Sequence, residues 1–489
     1  MKFDSRFLTN VVKFCPVAAV CLTLAVGARA QQPKPEELPQ APTPNPAVMQ
    51  LAGGVTVERA TPGAMPLSID DAIERGMKRN LGMLLQVQNQ RSVHGQVLTV
   101  KNNLLPSMTA KGSTSAQQIN LAALGFKPGA VSIPGFDTSS FPSIVKVDVT
   151  QAQISLDQQL FNLPAYYMYR AAQKADDVAS WTMLNQRGTV ALNVGTQYLR
   201  AVADSSEIDN SRALLKADEV ALNQAVASHD AGVGTNLDVL RARVQLQTQQ
   251  QALINAENTL AKDKIALNRL IGLPAEQELT LTDTAPYAEF AALPLEDAMK
   301  LALERRKDLR SLESQMELAD RTLKAVKYER LPSLAFNGYY GVLGETQGLY
   351  HGVFSAVGKV SFPIFQEGQL RGEREVATAQ IIGLKQQITS LKVTIEQQIR
   401  SSMLDVESAN EQVKVARSNV DLATQALQDT MDRFAAGVDD NLPVVQAQAT
   451  LAAAQTRLVE TLYQYNQSKL ALARSTGVVE TQYKTYLGR

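Results

Sequence analysis

The chain has 489 residues, 48 Lys+Arg balanced by 48 Asp+Glu, and two cysteines. Balanced charge gives no electrostatic case for a nucleic-acid partner, and none is expected. Cys15 and Cys21 both lie in the first thirty residues, so the mature chain is expected to carry neither a disulfide framework nor thiol chemistry.

Residues 1–30 read as a secretory signal peptide. Lys2, Arg6 and Lys13 make a basic leader, Val17 to Ala28 an apolar core, and Ala28-Arg29-Ala30 a small-x-small cleavage site. The mature protein is then expected to begin at Gln31. A lipid anchor at Cys21 is the rival reading, but Val20 precedes it where a small residue is wanted. Residues 31–65, with "QQPKPEELPQAPTPNP", read as a flexible proline-rich segment. Beyond the leader no apolar run approaches about 18 residues, so no membrane-spanning helix is expected. Strands leave a weaker trace and stay open.

The rest is written twice. "LLPSMTA" at Leu104 returns as "RLPSLAF" at Arg330, and Asp71-Ala72 as Asp297-Ala298, both 226 residues on. Farther along, Phe161 falls on Phe365, 204 on, and Ala231-Gly232-Val233 on Ala436-Gly437-Val438, 205 on. The shift comes from a Gly/Pro/Ser-rich insert, "LGFKPGAVSIPGFDTSSFPS", which has loop composition. Repeat 1 is placed at 66–280, a linker at 281–292, repeat 2 at 293–477 and a C-terminal tail at 478–489.

Each repeat opens with a helix, the first expected from about Ser68 to Leu104. Strands follow. Leu334, Phe336, Gly338, Tyr340 and Val342 alternate with the intervening residues, and Val360, Phe362 and Ile364 do so on the return. In repeat 1 the alternation runs through Val145, Val147 and Val149, and its apolar phase then moves to Ile154 and Leu156. Strands of about ten residues with one polar face suit an outer-membrane barrel, or amphipathic hairpins packed on a soluble core. Four strands per chain cannot close a spanning barrel, which takes at least about eight, so a membrane role requires oligomers.

Long helices come next. Val194, Ala201, Ile208, Leu215 and Leu222 recur every seven residues, as do Val239, Leu246, Leu253, Leu260 and Leu267 after the glycine turn. Repeat 2 has Ile399, Val406, Val413, Val420 and Leu427, then Val444, Leu451, Leu458, Tyr465 and Leu472. A sustained period of seven implies left-handed supercoiling. The helix from about Ala165 to Ser228 spans about 95 Å, roughly two shorter helices end to end.

The tandem order, the turn "AGVGTNLDVLRARVQL" and the openings "PLSIDDAIERGMKRN" and "PLEDAMKLALERRKDL" resemble the TolC-type outer-membrane efflux channels, from about Pro66 to Gly477. The resemblance implies a mainly α fold with β: a long α-helical coiled-coil barrel below a 12-stranded transmembrane β-barrel shared by a homotrimer. It implies outer-membrane lipid around the barrel. It also implies a periplasmic adaptor at the helical tip and an inner-membrane RND or ABC pump behind it. Function would be that of an exit duct for efflux or type I secretion, with no enzyme activity and no cofactor.

Carried onto this chain, the adaptor-binding tip is Gly232, Val233, Gly234, Thr235, Asn236 and Asp238, with Gly437, Val438 and Asn441 in repeat 2. Gly232 and Gly437 suit positive φ, and Thr235, Asn236 and Asn441 suit helix N-caps. The plain alternative is that these residues only turn the chain. Some relatives carry aspartate rings on the first turn of the last returning helix; here Pro443 and Gln446 stand there. Asp439 and Asp440 are the candidates for a displaced acidic ring, or for helix N-terminal charges. His94, His229 and His351 are far apart and read as surface residues; no metal site or catalytic motif is found. The competing function is a secreted trimeric coiled-coil scaffold, which explains the heptads but not the paired strands.

Overall fold

The same order of elements in the two repeats sets the architecture. The structure, a computed structural model, describes residues 53–55, 59–124, 142–283, 287–289, 293–346, 348–436, 438–439 and 441–488. Repeat 1 runs β1 (Met65–Leu67), α1 (Ile69–Arg79), α2 (Leu81–Asn102), β2 (Ser107–Asn120), β3 (Ile144–Phe161), α3 (Leu163–Asp230) and α4 (Asn236–Ile271). At the junction of the repeats lies β4 (Leu279–Leu281); repeat 2 then runs α5 (Leu295–Arg305), α6 (Lys307–Tyr328), β5 (Ser333–Glu345), β6 (Tyr350–Ser361), α7 (Glu367–Ala435) and α8 (Leu442–Ser475), and α9 (Val479–Leu487) closes the described chain. Long helices α3 and α7 have 68 and 69 residues, about 100 Å each. Their one-residue difference accounts for the move from an offset of 204 to 205.

The opening helix is not continuous, contrary to the sequence expectation. It breaks at Asn80 (φ −64°, ψ 127°) and at the matching Arg306 (φ −65°, ψ 122°). Neither break carries Gly or Pro, which hid it from the sequence. Asn80 Oδ1 accepts from Met83 N to start α2. Arg306 is buried, with its guanidinium paired to Asp308 and donating to Gln398 Oε1 at 2.6 Å.

Midway along the long helices lies the main core. Leu67 and Ile69 meet Val190, Val194 and Tyr198 of α3, Leu267 and Ile271 of α4, Val406 and Val413 of α7, and Tyr465, Leu470 and Leu472 of α8. Here β1 and β4 pair in parallel. Within the stretch expected as a tail, Val479–Leu487 folds into this core as α9, with Val479, Tyr483, Tyr486 and Leu487 buried and Lys484 paired to Asp70 at 2.7 Å. Between the repeats, the Ala288 carbonyl accepts from Tyr465 Oη and Lys469 Nζ, each at 3.2 Å. Burial pushes the Lys469 ammonium down to about 8.

At the start of the long helices the four longer strands form one antiparallel sheet, β2-β3-β5-β6, with β2 and β6 at its edges. The return strand ends at Ser361, short of the expected alternation. Phe362, Ile364 and Phe365 lie beyond it and are exposed, next to Pro363, which has no N–H to give a ladder.

Register fixes which side chains share a face. Where all four strands pair, the charged or ionisable strand residues Lys111, Asp157, Glu345, His351 and Lys359 fall on one face. The opposite face carries Met108, Ala110, Ala152, Ile154, Leu156, Phe336, Tyr340, Val342, Phe354, Ala356 and Val360, and no charge. Several of its large side chains are open, Tyr340 at 71% and Phe354 at 78%. A bulge at Leu160 pairs Phe161 with Leu334 and so turns Phe161 to the charge-free side.

Candidate functional site at the helical turns

Two helix–turn–helix ends lie side by side at the end of α3 and α7 remote from the sheet. In the first, α3 stops in a Schellman arrangement: Ala231 N donates to Ala227 O, and Val233 N to Ser228 O, both at 3.0 Å. Gly232 sits at φ +77°, where an L side chain is strained whatever the space around it. Gly234 is needed for a different reason. A Cβ there would lie 3.0 Å from His229 N and from Ser228 Cβ.

Helix α4 then starts in a closed capping box. Thr235 Oγ1 accepts from Asp238 N at 3.2 Å, and Asp238 Oδ2 accepts from Thr235 N at 3.1 Å. Asp238 is therefore buried yet satisfied, with Arg241 3.7 Å from its other oxygen. Asn236, expected as an alternative cap, is instead the first helical residue and is exposed, because Thr235 holds the extended cap conformation (φ −96°, ψ 153°).

The second turn repeats the frame. Ala436 N donates to Asp432 O and Val438 N to Arg433 O, both at 3.0 Å, each 205 residues after its counterpart. Gly437 and Asp440 lie outside the described residues, so the expected positive φ at Gly437 and the second carboxylate of the candidate acidic ring are not among them. Asp439 Oδ2 is 2.7 Å from Arg433 Nε, so the end of α7 balances its charge. Asn441 holds the expected N-cap position of α8 but makes no side-chain capping bond; its backbone is in the αR region (φ −77°, ψ −10°) and it is 1% exposed. Its side-chain amide reaches across to Asp238 O at 3.4 Å and ties the second turn to the first.

Around these backbones stands an apolar rim: Val233 (83% exposed), Val438 (68%), Leu237, Leu240 and Leu442. Leu237, Leu240 and Leu442 were missed in the sequence. Their signal was available, since Leu237 and Leu240 stand off the seven-residue stripe through Val239. Ser228 and Arg433 were also missed; both accept through backbone carbonyls, which sequence does not show, and Arg433 also pairs its side chain with Asp439. Higher on the same helices, α3 buries Asp218 against α4 with a single long donor, Gln245 Nε2 at 3.5 Å, and burial pushes the carboxyl up to about 6. Position 423, its counterpart in repeat 2, is a buried alanine.

His94 and His229 sit beside Asp176 and Asp230 on the surface, and His351 is exposed on β6. No metal-holding cluster and no membrane-spanning helix occur among the described residues.

Both halves of the chain, residues 73–273 and 298–478, match the family described as outer membrane efflux protein. The chain belongs to that family. As an outer membrane efflux protein its place is the outer membrane, with its helices spanning the periplasm. It is 26% identical over 315 residues to the probable efflux pump outer membrane protein SepC of Pseudomonas putida, covering 63% of this chain. The chain spans 65% of the length of that relative. Against the outer membrane protein TolC of Escherichia coli it is 21% identical over 352 residues, covering 69% of this chain and 71% of TolC. The outer-membrane channel OprN superimposes with a TM-score of 0.69 at 17% identity, over 84% of this chain and 89% of that one. A structure so distant in sequence shows the fold alone.

Proposed function

We propose that three copies of this chain form the exit duct of a tripartite efflux or type I secretion system. The sheet carries the argument. Four strands with two open edges are unstable as a membrane element, and joining β6 of one copy to β2 of the next removes every edge. Three copies give a 12-stranded barrel, with the charge-free face toward lipid and the charged face toward the lumen. Thirteen residues of β5 at about 3.3 Å each, tilted by about 40°, cover about 30 Å, enough for the apolar band. Exposed Phe161, Phe362 and Phe365 gather where strands pass into helices, as an interfacial aromatic girdle does.

The helices carry the lumen onward, and the apolar rim at the turns docks a periplasmic adaptor that links to an RND or ABC pump. Energy comes from that pump; the duct binds and guides, and does no chemistry. Asp439, balanced by Arg433, acts in this reading as a staple of its turn before it acts as an entrance charge.

Planar-bilayer recording tests the duct. Purified protein should run as a trimer and give discrete conductance steps, larger when the turns are loosened. Protein recovered in the soluble periplasm without detergent, or trimers that never conduct even with loosened turns, would overturn it.

A further inference from the structure

Above Glu345 the sheet narrows to a ribbon. Val149 is the last β3 residue with a partner on β5, Glu345, while β3 stays paired with β2 out to Ile144 opposite Asn120. The pairing of β2 with β3 is continuous from Ser107 to Asn120, with no bulge. Yet the chemistry of the two faces inverts along it. Lys146 and Asp148 stand on the face that is charge-free lower down, and both are exposed. Ile119, Val145, Val147 and Val149 stand on the face that carries Lys111 and Asp157 lower down, and all four are half-buried. Ile119 and Val145 face each other directly across the ribbon.

A lipid-facing surface does not tolerate a lysine and an aspartate in adjacent outward positions, so the ribbon above Thr150 has left the apolar band. A ribbon with water on both sides has no use for four β-branched apolar residues on one of them. Resting on the barrel reading above, the geometry points to an apolar collar: Ile119, Val145, Val147 and Val149 of each copy line the inside of the outer mouth. Lower down, the same wall offers Lys111, Gln151, Gln153, Asp157 and Lys359 as hydrogen-bonding partners for hydrated solutes. At the collar that wall offers only Ser115 and Gln117, opposite Val149 and Val147. Ions crossing it find few groups to replace hydration water, whereas uncharged amphiphilic or apolar solutes find a surface they can wet. The collar is thus a selectivity element at the exit, favouring amphiphiles over small hydrated ions.

No cysteine follows Cys21, which makes the test clean. Val147→Cys, Asp148→Cys and Ile154→Cys trimers are recorded in planar bilayers while a charged, membrane-impermeant thiol reagent is added on the hairpin side. Modification at Val147→Cys should change the conductance by about twofold, as a charge placed in a pore wall does. Asp148→Cys should label with no change in current, and Ile154→Cys should stay unlabelled. Val147→Ser with Val149→Ser should raise ion conductance and slow release of an uncharged amphiphilic dye from vesicles. Current that responds at Asp148→Cys and not at Val147→Cys, or at neither, overturns the collar while leaving the channel intact. Unmodified trimers that carry no current under any condition overturn the duct, and the collar falls with it.

Discussion

The two turns share one backbone frame and differ in what closes it. Turn one is self-sufficient: a positive-φ glycine ends α3, and Thr235 and Asp238 cap α4 reciprocally. Turn two starts α8 without a side-chain cap and leans on turn one through Asn441. Pro443 near its start removes one N–H that would otherwise go unpaired. The lesson is an order of dependence. The first hairpin can hold its shape without the second, whereas the second is anchored to the first, so motion at this end should begin in α7 and α8.

The largest expected effect comes from breaking the independent turn. Gly232→Pro forbids φ +77° and removes the bond from Gly232 N to His229 O, a cost of about 3 kcal/mol or more. Export, read as drug susceptibility, should fail while trimers persist on native gels. Trimers lost together with export would assign the turn to folding instead.

Next comes a contrast farther up the helices, Asp218 against Ala423. An unfolded chain ionises this carboxyl from near pH 4, but burial holds the folded-state value at about 6. Between those values the folded chain keeps a proton that the unfolded chain has lost, so stability falls as pH rises, and the full penalty stands above pH 6. Asp218→Ala, which copies repeat 2, should raise the stability of the trimer by about 1–2 kcal/mol at pH 8 and by almost nothing at pH 3. Denaturation followed by circular dichroism at both pH values checks it; an equal effect at both would point to packing rather than charge.

A smaller effect sharpens the order of dependence. Thr235→Ala should cost about 1 kcal/mol and speed amide exchange in both turns, because the capping box positions the Asp238 residue that Asn441 grips. Asn441→Ala should speed exchange near Leu442 and leave residues 228–240 unchanged. Equal loosening of both turns by Asn441→Ala would break the comparison. Smallest is Arg433→Gln, which should alter stability by less than about 1 kcal/mol, since the pair with Asp439 is partly exposed. Its useful readout is ionic: freeing Asp439 should raise the preference for cations in bilayer recordings.

Much of this was legible beforehand because periodicity and repetition are carried by side-chain type. The long helix expected from about Ala165 begins at Leu163, and the strand pairs and the turn at Gly232 fall where the spacing put them. Three features did not, for physical reasons. Asn80 and Arg306 break their helices through local capping and burial rather than through Gly or Pro. Asn441 looked like a cap because asparagine favours caps; a partner 203 residues away recruited its amide instead. The moving apolar phase in β3 was visible, but its meaning needed the register, which shows that β5 ends where the phase changes.

The open edges of β2 and β6 bear on biogenesis. Until it meets its neighbours, each newly exported chain presents two unsatisfied ladders, and any exposed strand, including that of an unrelated protein, can claim them. Assembly is then a race whose rate climbs steeply with the local concentration of chains. Overproduction or a shortage of escorting chaperones should both be felt first at these two strands.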